Sequence, residues 1–135
     1  MAIAVNYPKL LNILTQTYDQ AADVSSYQNC CVAYTGAATG KAQVTPVTSA
    51  GQRVAGVLYN APNYTLNVVA QVLQLGIAPV KANGAITAGV EVTTGSDGRI
   101  QAAISGQWVI GTAMNAATAA NEIIGVLMTG GYYKA

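Results

Sequence analysis

Between residues 64 and 75 the chain alternates. Leu66, Val68, Ala70 and Val72 fall on one side of an extended backbone, and Thr65, Asn67, Val69, Gln71 and Leu73 on the other. Successive side chains of a strand point to opposite faces, so this period of two predicts the longest strand of the first half. Shorter stretches of the same kind recur at 30–35, 42–48, 54–59, 90–93, 99–102, 108–114 and 122–128. Pro46 confines the second of these to a sheet edge or a break, because proline cannot donate to a ladder. Asn83-Gly84 and Gly95-Ser96-Asp97-Gly98 are turn signals between strands. Residues 1–24 differ: Leu10, Leu11, Leu14 and Tyr18 fall at helical spacing after Pro8, which predicts a short helix or an arm. Many short strands with frequent turns predict an all-β barrel or sandwich over residues 25–135.

The β region is written twice. Gly51-Gln52-Arg53-Val54-Ala55-Gly56-Val57-Leu58-Tyr59-Asn60-Ala61 returns as Gly106-Gln107-Trp108-Val109-Ile110-Gly111-Thr112-Ala113-Met114-Asn115-Ala116, an offset of 55 residues (106 − 51). At that offset, with no gap, Thr39-Gly40 falls on Thr94-Gly95, Val68-Val69 on Ile123-Ile124 and Gly76 on Gly131. A duplicated β unit follows, spanning about 30–76 and 79–131. Alternation puts Val54, Gly56 and Leu58 on one face of the first copy, and Val109, Gly111 and Ala113 on that face of the second. A glycine inside a strand weakens it unless a bulge or another backbone needs the space.

Composition adds one constraint. Only 8% of the residues are charged, against roughly 25% in an ordinary domain, while 52% are hydrophobic. No apolar run reaches the roughly 18 residues of a membrane helix, and a net charge of +1 offers no footprint for nucleic acid or an anionic membrane. A chain so poor in charge tends to associate, which points to a homo-oligomer and to an assembly component. Cys30 and Cys31 are adjacent and without another cysteine partner, so both are expected reduced. The first residues lack the basic region of a secretory signal, so synthesis and assembly in the cytosol are expected.

Candidate chemistry is sparse. There is no histidine, the commonest general base and metal ligand. The five carboxylates are scattered, and Asp97 suits a turn that bonds its own backbone. The hydroxyls have no base to activate them, and neither Gly-rich loop has phosphate-cradle spacing. The expectation is no catalysis, cofactor or metal. Exposed aromatics would be contact residues instead: Trp108, Tyr132 and Tyr133, with Tyr64, would suit a glycan-binding module if they clustered.

Ala85-Ile86-Thr87-Ala88-Gly89-Val90-Glu91-Val92, Gly95-Ser96-Asp97-Gly98-Arg99, Val109-Ile110-Gly111-Thr112-Ala113 and Ile123-Ile124-Gly125-Val126-Leu127 resemble the head decoration, or capsid cement, proteins of tailed bacteriophages. The resemblance covers about residues 30–131. It implies a virion protein on the outer surface of the capsid, partnered by the major capsid protein. It also implies a homo-oligomer, with a trimer before a dimer, that stabilises the head by bridging capsid subunits. In that family the first part of the chain contacts the shell, which makes Leu10, Leu11, Ile13, Leu14 and Tyr18 the candidate capsid or subunit interface. A glycan- or host-binding β module, or another virion part such as a tail-tube subunit, remains the alternative.

Overall fold

The computed structural model describes residues 14–35 and 42–135, and within them the chain is all β apart from a 3-10 turn at Ser25–Tyr27. In chain order the strands are β1 (Leu14–Gln20), β2 (Cys31–Tyr34), β3 (Gln43–Pro46), β4 (Gly56–Leu58), β5 (Ala70–Lys81), β6 (Glu91–Thr94), β7 (Ile100–Ala102), β8 (Trp108–Val109), β9 (Gly111–Ala113), β10 (Ile123–Met128) and β11 (Tyr132–Tyr133). The first seven together with β9 and β10 form one ladder, ordered β1-β3-β2-β4-β5-β10-β9-β6-β7, and β1 also pairs with β5.

That extra pairing closes a ring. β1 runs antiparallel to the first half of β5, with Tyr18 opposite Ala70 and Leu14 opposite Leu75. It runs parallel to β3, with Gln20 opposite Val44. Strands β1, β5, β4, β2 and β3 therefore make a small barrel. The second half of β5 opens another, pairing with β10 from Gly76 opposite Met128 to Lys81 opposite Ile123. This ring continues through β9, β6 and β7. It closes at a parallel bridge between Ala82 and Ile100, where the Asn83 amide donates to the Ile100 carbonyl at 2.7 Å. One strand thus serves two barrels. At the passage between them Gly76 has φ +110°, a conformation that side chains disfavour.

The two barrels share their pairing in detail. Val57 opposite Leu73 and Leu58 opposite Val72 match Thr112 opposite Leu127 and Ala113 opposite Val126. Val32 opposite Pro46 matches Val92 opposite Ala102. Each repeated letter has a task. Gly51 and Gly106 take φ +76° and +85°. Gln52 Oε1 accepts from the Ser49 amide at 2.8 Å, and Gln107 Oε1 from the Ile104 amide at 3.0 Å. Asn60 Oδ1 accepts from the Gln71 amide at 2.9 Å, and Asn115 Oδ1 from the Gly125 amide at 2.8 Å. At Gly56 and Gly111 another backbone does approach: a Cβ there would lie 2.4 Å from the Leu73 carbonyl oxygen and 2.2 Å from that of Leu127.

Several sequence expectations need correction. Leu14 and Tyr18, spaced as in a helix, belong to a strand. The β-branched Thr15 and Thr17 favour extension, and the open flanks of β3 and β5 supply ladder partners that an isolated helix would forgo. β1 also has a counterpart in the second barrel, namely the second half of β5. The Ala21 amide bonds the Val44 carbonyl at 2.9 Å just as Asn83 bonds Ile100. The first unit therefore starts at β1 rather than near residue 30, and the units meet inside β5, which runs on through Pro79. The ungapped register slips by one residue after Asn115. Gly76 corresponds to Gly130 (φ +100°), not Gly131, and Ile123-Ile124 to Val69-Ala70. Thr39 and Gly40 lie outside the described residues. Alternation also fails at the repeated glycine: Ala55 and Leu58 share the interior of the first barrel, whereas Val54 and Val57 join the second cluster.

The first barrel is filled by Val24, Val32, Val44, Ala55, Leu58, Ala70 and Val72. The second holds Val80, Val92, Ile100, Ile110, Ile124 and Val126, continuous with Cys31, Val54, Val57 and Leu73 at the seam. Tyr18 ties β1 to its neighbours. Its ring meets Tyr34 edge-on at 5.7 Å, and Gln74 Nε2 donates to the hydroxyls of Tyr18 (2.7 Å) and Tyr34 (2.9 Å).

Three outcomes follow from this packing. Gly111→Ala should lose at least about 2 kcal/mol in urea denaturation, because a rigid backbone oxygen occupies the Cβ position, while Gly84→Ala, with open space around it, should stay within about 0.5 kcal/mol. Burial and then the Tyr34 hydroxyl push the Tyr18 phenol up to about 12. The fold therefore favours the protonated phenol, and its contribution to stability should be intact below about pH 10. That contribution should vanish as the pH rises through about 12, a loss that Tyr18→Phe, compared by denaturation across that range, should not show. Burial likewise raises the Cys30 thiol and pushes Cys31 up to about 12. Neither should react with a thiol reagent at neutral pH until the chain is unfolded.

Candidate docking surface

The residues proposed as an interface part company in the structure. Leu10, Leu11 and Ile13 lie outside the described residues. Leu14 is half-buried opposite Leu75, and Tyr18 is half-buried in the first barrel, so both are built into the fold. Trp108, Tyr132 and Tyr133 do come together, because β11 pairs with β8 and places Tyr133 opposite Trp108. The Tyr133 ring meets Trp108 edge-on at 4.9 Å, and the Arg53 guanidinium lies over the indole at 4.9 Å. Arg53 and Trp108 hold the same position in the two repeats, so this cation–π contact fastens one unit to the other. It also covers an indole face that a sugar would stack on. Tyr64 sits elsewhere, in the loop before β5.

That loop carries an apolar tip. Residues 64–67 form a tight turn in which the Asn67 amide donates to the Tyr64 carbonyl at 3.1 Å, Asn63 Oδ1 accepts from the Leu66 amide at 3.2 Å, and Asn67 takes φ +55°. The turn exposes Leu66 at 72%, flanked by exposed Tyr64, Val68 and Val69. In the second barrel the corresponding turn, with Asn121 at φ +71°, presents Thr118, Ala120 and Glu122 instead. Glu122 bonds back to the Thr118 hydroxyl at 2.6 Å, which makes that tip polar and self-contained. One backbone thus carries two different tips, the second keeping only exposed Ile123, the counterpart of Val69 in the repeat, as a large apolar residue, and among the described residues the first has no partner within the chain. Beside it lies an open groove of about 480 Å³, with Asp19, Gln20 and Gln43 across from Tyr64 and Val68.

Alternation hid this tip, because Leu66 and Val68 continue the period of β5 backwards. The signal that exposes it is Asn67, which corresponds to Asn121 in the turn between β9 and β10, both residues at positive φ. Among the described residues no group of His, Cys, Asp or Glu is arranged to hold a metal ion, and no helix is long and apolar enough to cross a membrane. Asp97 serves its turn, accepting from the Arg99 amide at 3.1 Å and pairing with the Arg99 side chain at 2.6 Å.

No family model and no curated protein matches the sequence. Among solved structures the chain resembles the head fiber gp8.5 N base of bacteriophage phi29, with a TM-score of 0.66 at 17% identity, over 86% of this chain and 95% of that one. The paired-barrel architecture described above is therefore the fold that this chain shares with that head-fiber base.

Proposed function

We propose that the chain is a decoration protein of a phage head, binding the outer surface of the mature capsid and bridging neighbouring shell subunits. The observation that carries this reading is the apolar tip on one barrel and its polar twin on the other, in a chain sharing its fold with a head-fiber base. Such a protein needs no reacting group. It needs a rigid body with one sticky end, repeated many times over a lattice. Burying Leu66 alone would contribute about 1.5–3 kcal/mol, and a stable contact would cover on the order of 1,000–2,000 Å² in all. A ligand that binds only the expanded lattice stabilises that state by linkage, and neighbouring copies reinforce one another. The expected form is a homo-oligomer, a trimer before a dimer, for which the low charge content is the motive.

The test is cosedimentation with expanded capsids assembled without the protein. Wild type should bind and raise the temperature at which the capsids open. Leu66→Asp should weaken binding at least about tenfold, a change of about 1.4 kcal/mol, while Ala120→Asp, at the matching position of the second barrel, should bind as wild type. Equal binding by Leu66→Asp would move the docking surface elsewhere. No binding by wild type would end the reading in favour of a host- or glycan-binding module or another virion part. Light scattering showing only monomer would remove the oligomer.

A further inference from the structure

Each barrel carries a row of outward side chains across three equivalent strands. In the first barrel Cys31 stands opposite Val57 and Val57 opposite Leu73. In the second Glu91 stands opposite Thr112 and Thr112 opposite Leu127. The first row is covered: its residues are at most 1% exposed and belong to the hydrophobic cluster of the second barrel. The β6–β7 turn forms part of that cover. The Cys31 amide donates to the Gly98 carbonyl, and the Gly51 amide to the Thr94 carbonyl, both at 2.8 Å. The second row lies open. Leu127 is 42% exposed, with half-buried Ile77 opposite it on β5 and exposed Ile123 on the same face of β10. The Met114 amide donates to the Gly125 carbonyl at 2.8 Å, which brings exposed Met114 alongside. Glu91, the charged member of the row, is already paired with Lys134, so a partner arriving here buries no lone charge in it.

One fold position thus occurs twice, and where it is covered the cover is a barrel of this same fold. We propose that the open face of the second barrel, formed by Thr112, Met114, Ile123 and Leu127, is the self-association surface of the protein, and that its occupant is the first barrel of a second copy. The contact inside the chain supplies the argument for that occupant. The covering side of a second barrel is already engaged on its own first barrel, so the barrel that a neighbour has left to offer is its first. The contact between chains then repeats the contact within one. It joins unlike faces, so two copies leave one face of each kind open, and three are the fewest that close a ring. Apolar residues at the centre with a paired charge at the margin match the anatomy of such an interface. This deepens the homo-oligomer of the reading above and is independent of what the Leu66 tip binds.

Sedimentation equilibrium of the full chain reads the contact. Leu127→Asp should raise the concentration of half-dissociation at least about tenfold, as for a central apolar contact, with the β signal in circular dichroism retained. Leu66→Asp should leave association unchanged, and its effect on capsid binding judges the capsid reading alone. If Leu127→Asp loses its β signal, Leu127→Cys labelled with a photoreactive maleimide takes its place, since Cys30 and Cys31 are buried and escape the reagent. In a mixture of isotopically light and heavy chains the label should attach to first-barrel residues of another copy. A wild-type chain that stays monomeric at micromolar concentration overturns the inference. So does a folded Leu127→Asp variant that associates as wild type, or a Leu66→Asp variant that dissociates. Label attached to a second barrel, attached within its own chain or attached to no other copy overturns it equally.

Discussion

Everything in this molecule depends on one strand being long enough to belong to two barrels. β5 gives its first half to a ring with β1, β4, β2 and β3, and its second half to a ring with β10, β9, β6 and β7. A small barrel is stable only when it closes, because an open edge leaves backbone groups unpaired and the interior wet. Each half of β5 must therefore find an antiparallel mate, and β1 and β10 are those mates. Gly76 allows the strand to leave one ring and enter the next without losing its ladder. The barrels cannot drift apart as domains on a linker do, since the linker is itself a wall of both.

Duplication on this plan leaves each unit free to change wherever the backbone does not dictate the residue. The letters kept in both copies are those the backbone requires: glycines where a turn needs positive φ or a carbonyl presses in, glutamines that close a turn, and asparagines that receive an amide from the closing strand. Between them the residues diverge. Arg53 has become the cation and Trp108 the ring of one contact. The tip at Leu66 is apolar while that at Ala120 carries Thr118 and Glu122, an asymmetry of the kind a docking surface on one unit would use.

How much of this could be read from the chain depended on which signal a residue carried. The repeat was legible because glycine, glutamine and asparagine are kept for backbone reasons and survive divergence in the side chains around them. The all-β class was legible from alternation. β1 was not, because Leu10, Leu11, Leu14 and Tyr18 fit a period of 3.6, and the partners that decide the matter, Val44 and Leu75, are distant in sequence. The apolar tip was missed because Leu66 and Val68 keep time with β5 before the strand begins. A one-residue difference in length between the copies displaced Gly76 from its true counterpart, since an ungapped comparison cannot register a shortened turn. Trp108 and Tyr133 were singled out only as exposed contact residues, because the pairing of β11 with β8 that sets their rings edge-on is not visible in the sequence.

The shared strand also sets an order in time. Every strand of the first barrel precedes Gly76, so that barrel can close while the rest of the chain is still being made. When it closes it fixes the first half of β5, and the second half then stands as a rigid, half-finished edge waiting for Ile123–Met128. The second barrel then has one wall laid down before its own strands are made, which shortens the search by which Ile123–Met128 finds its distant partner.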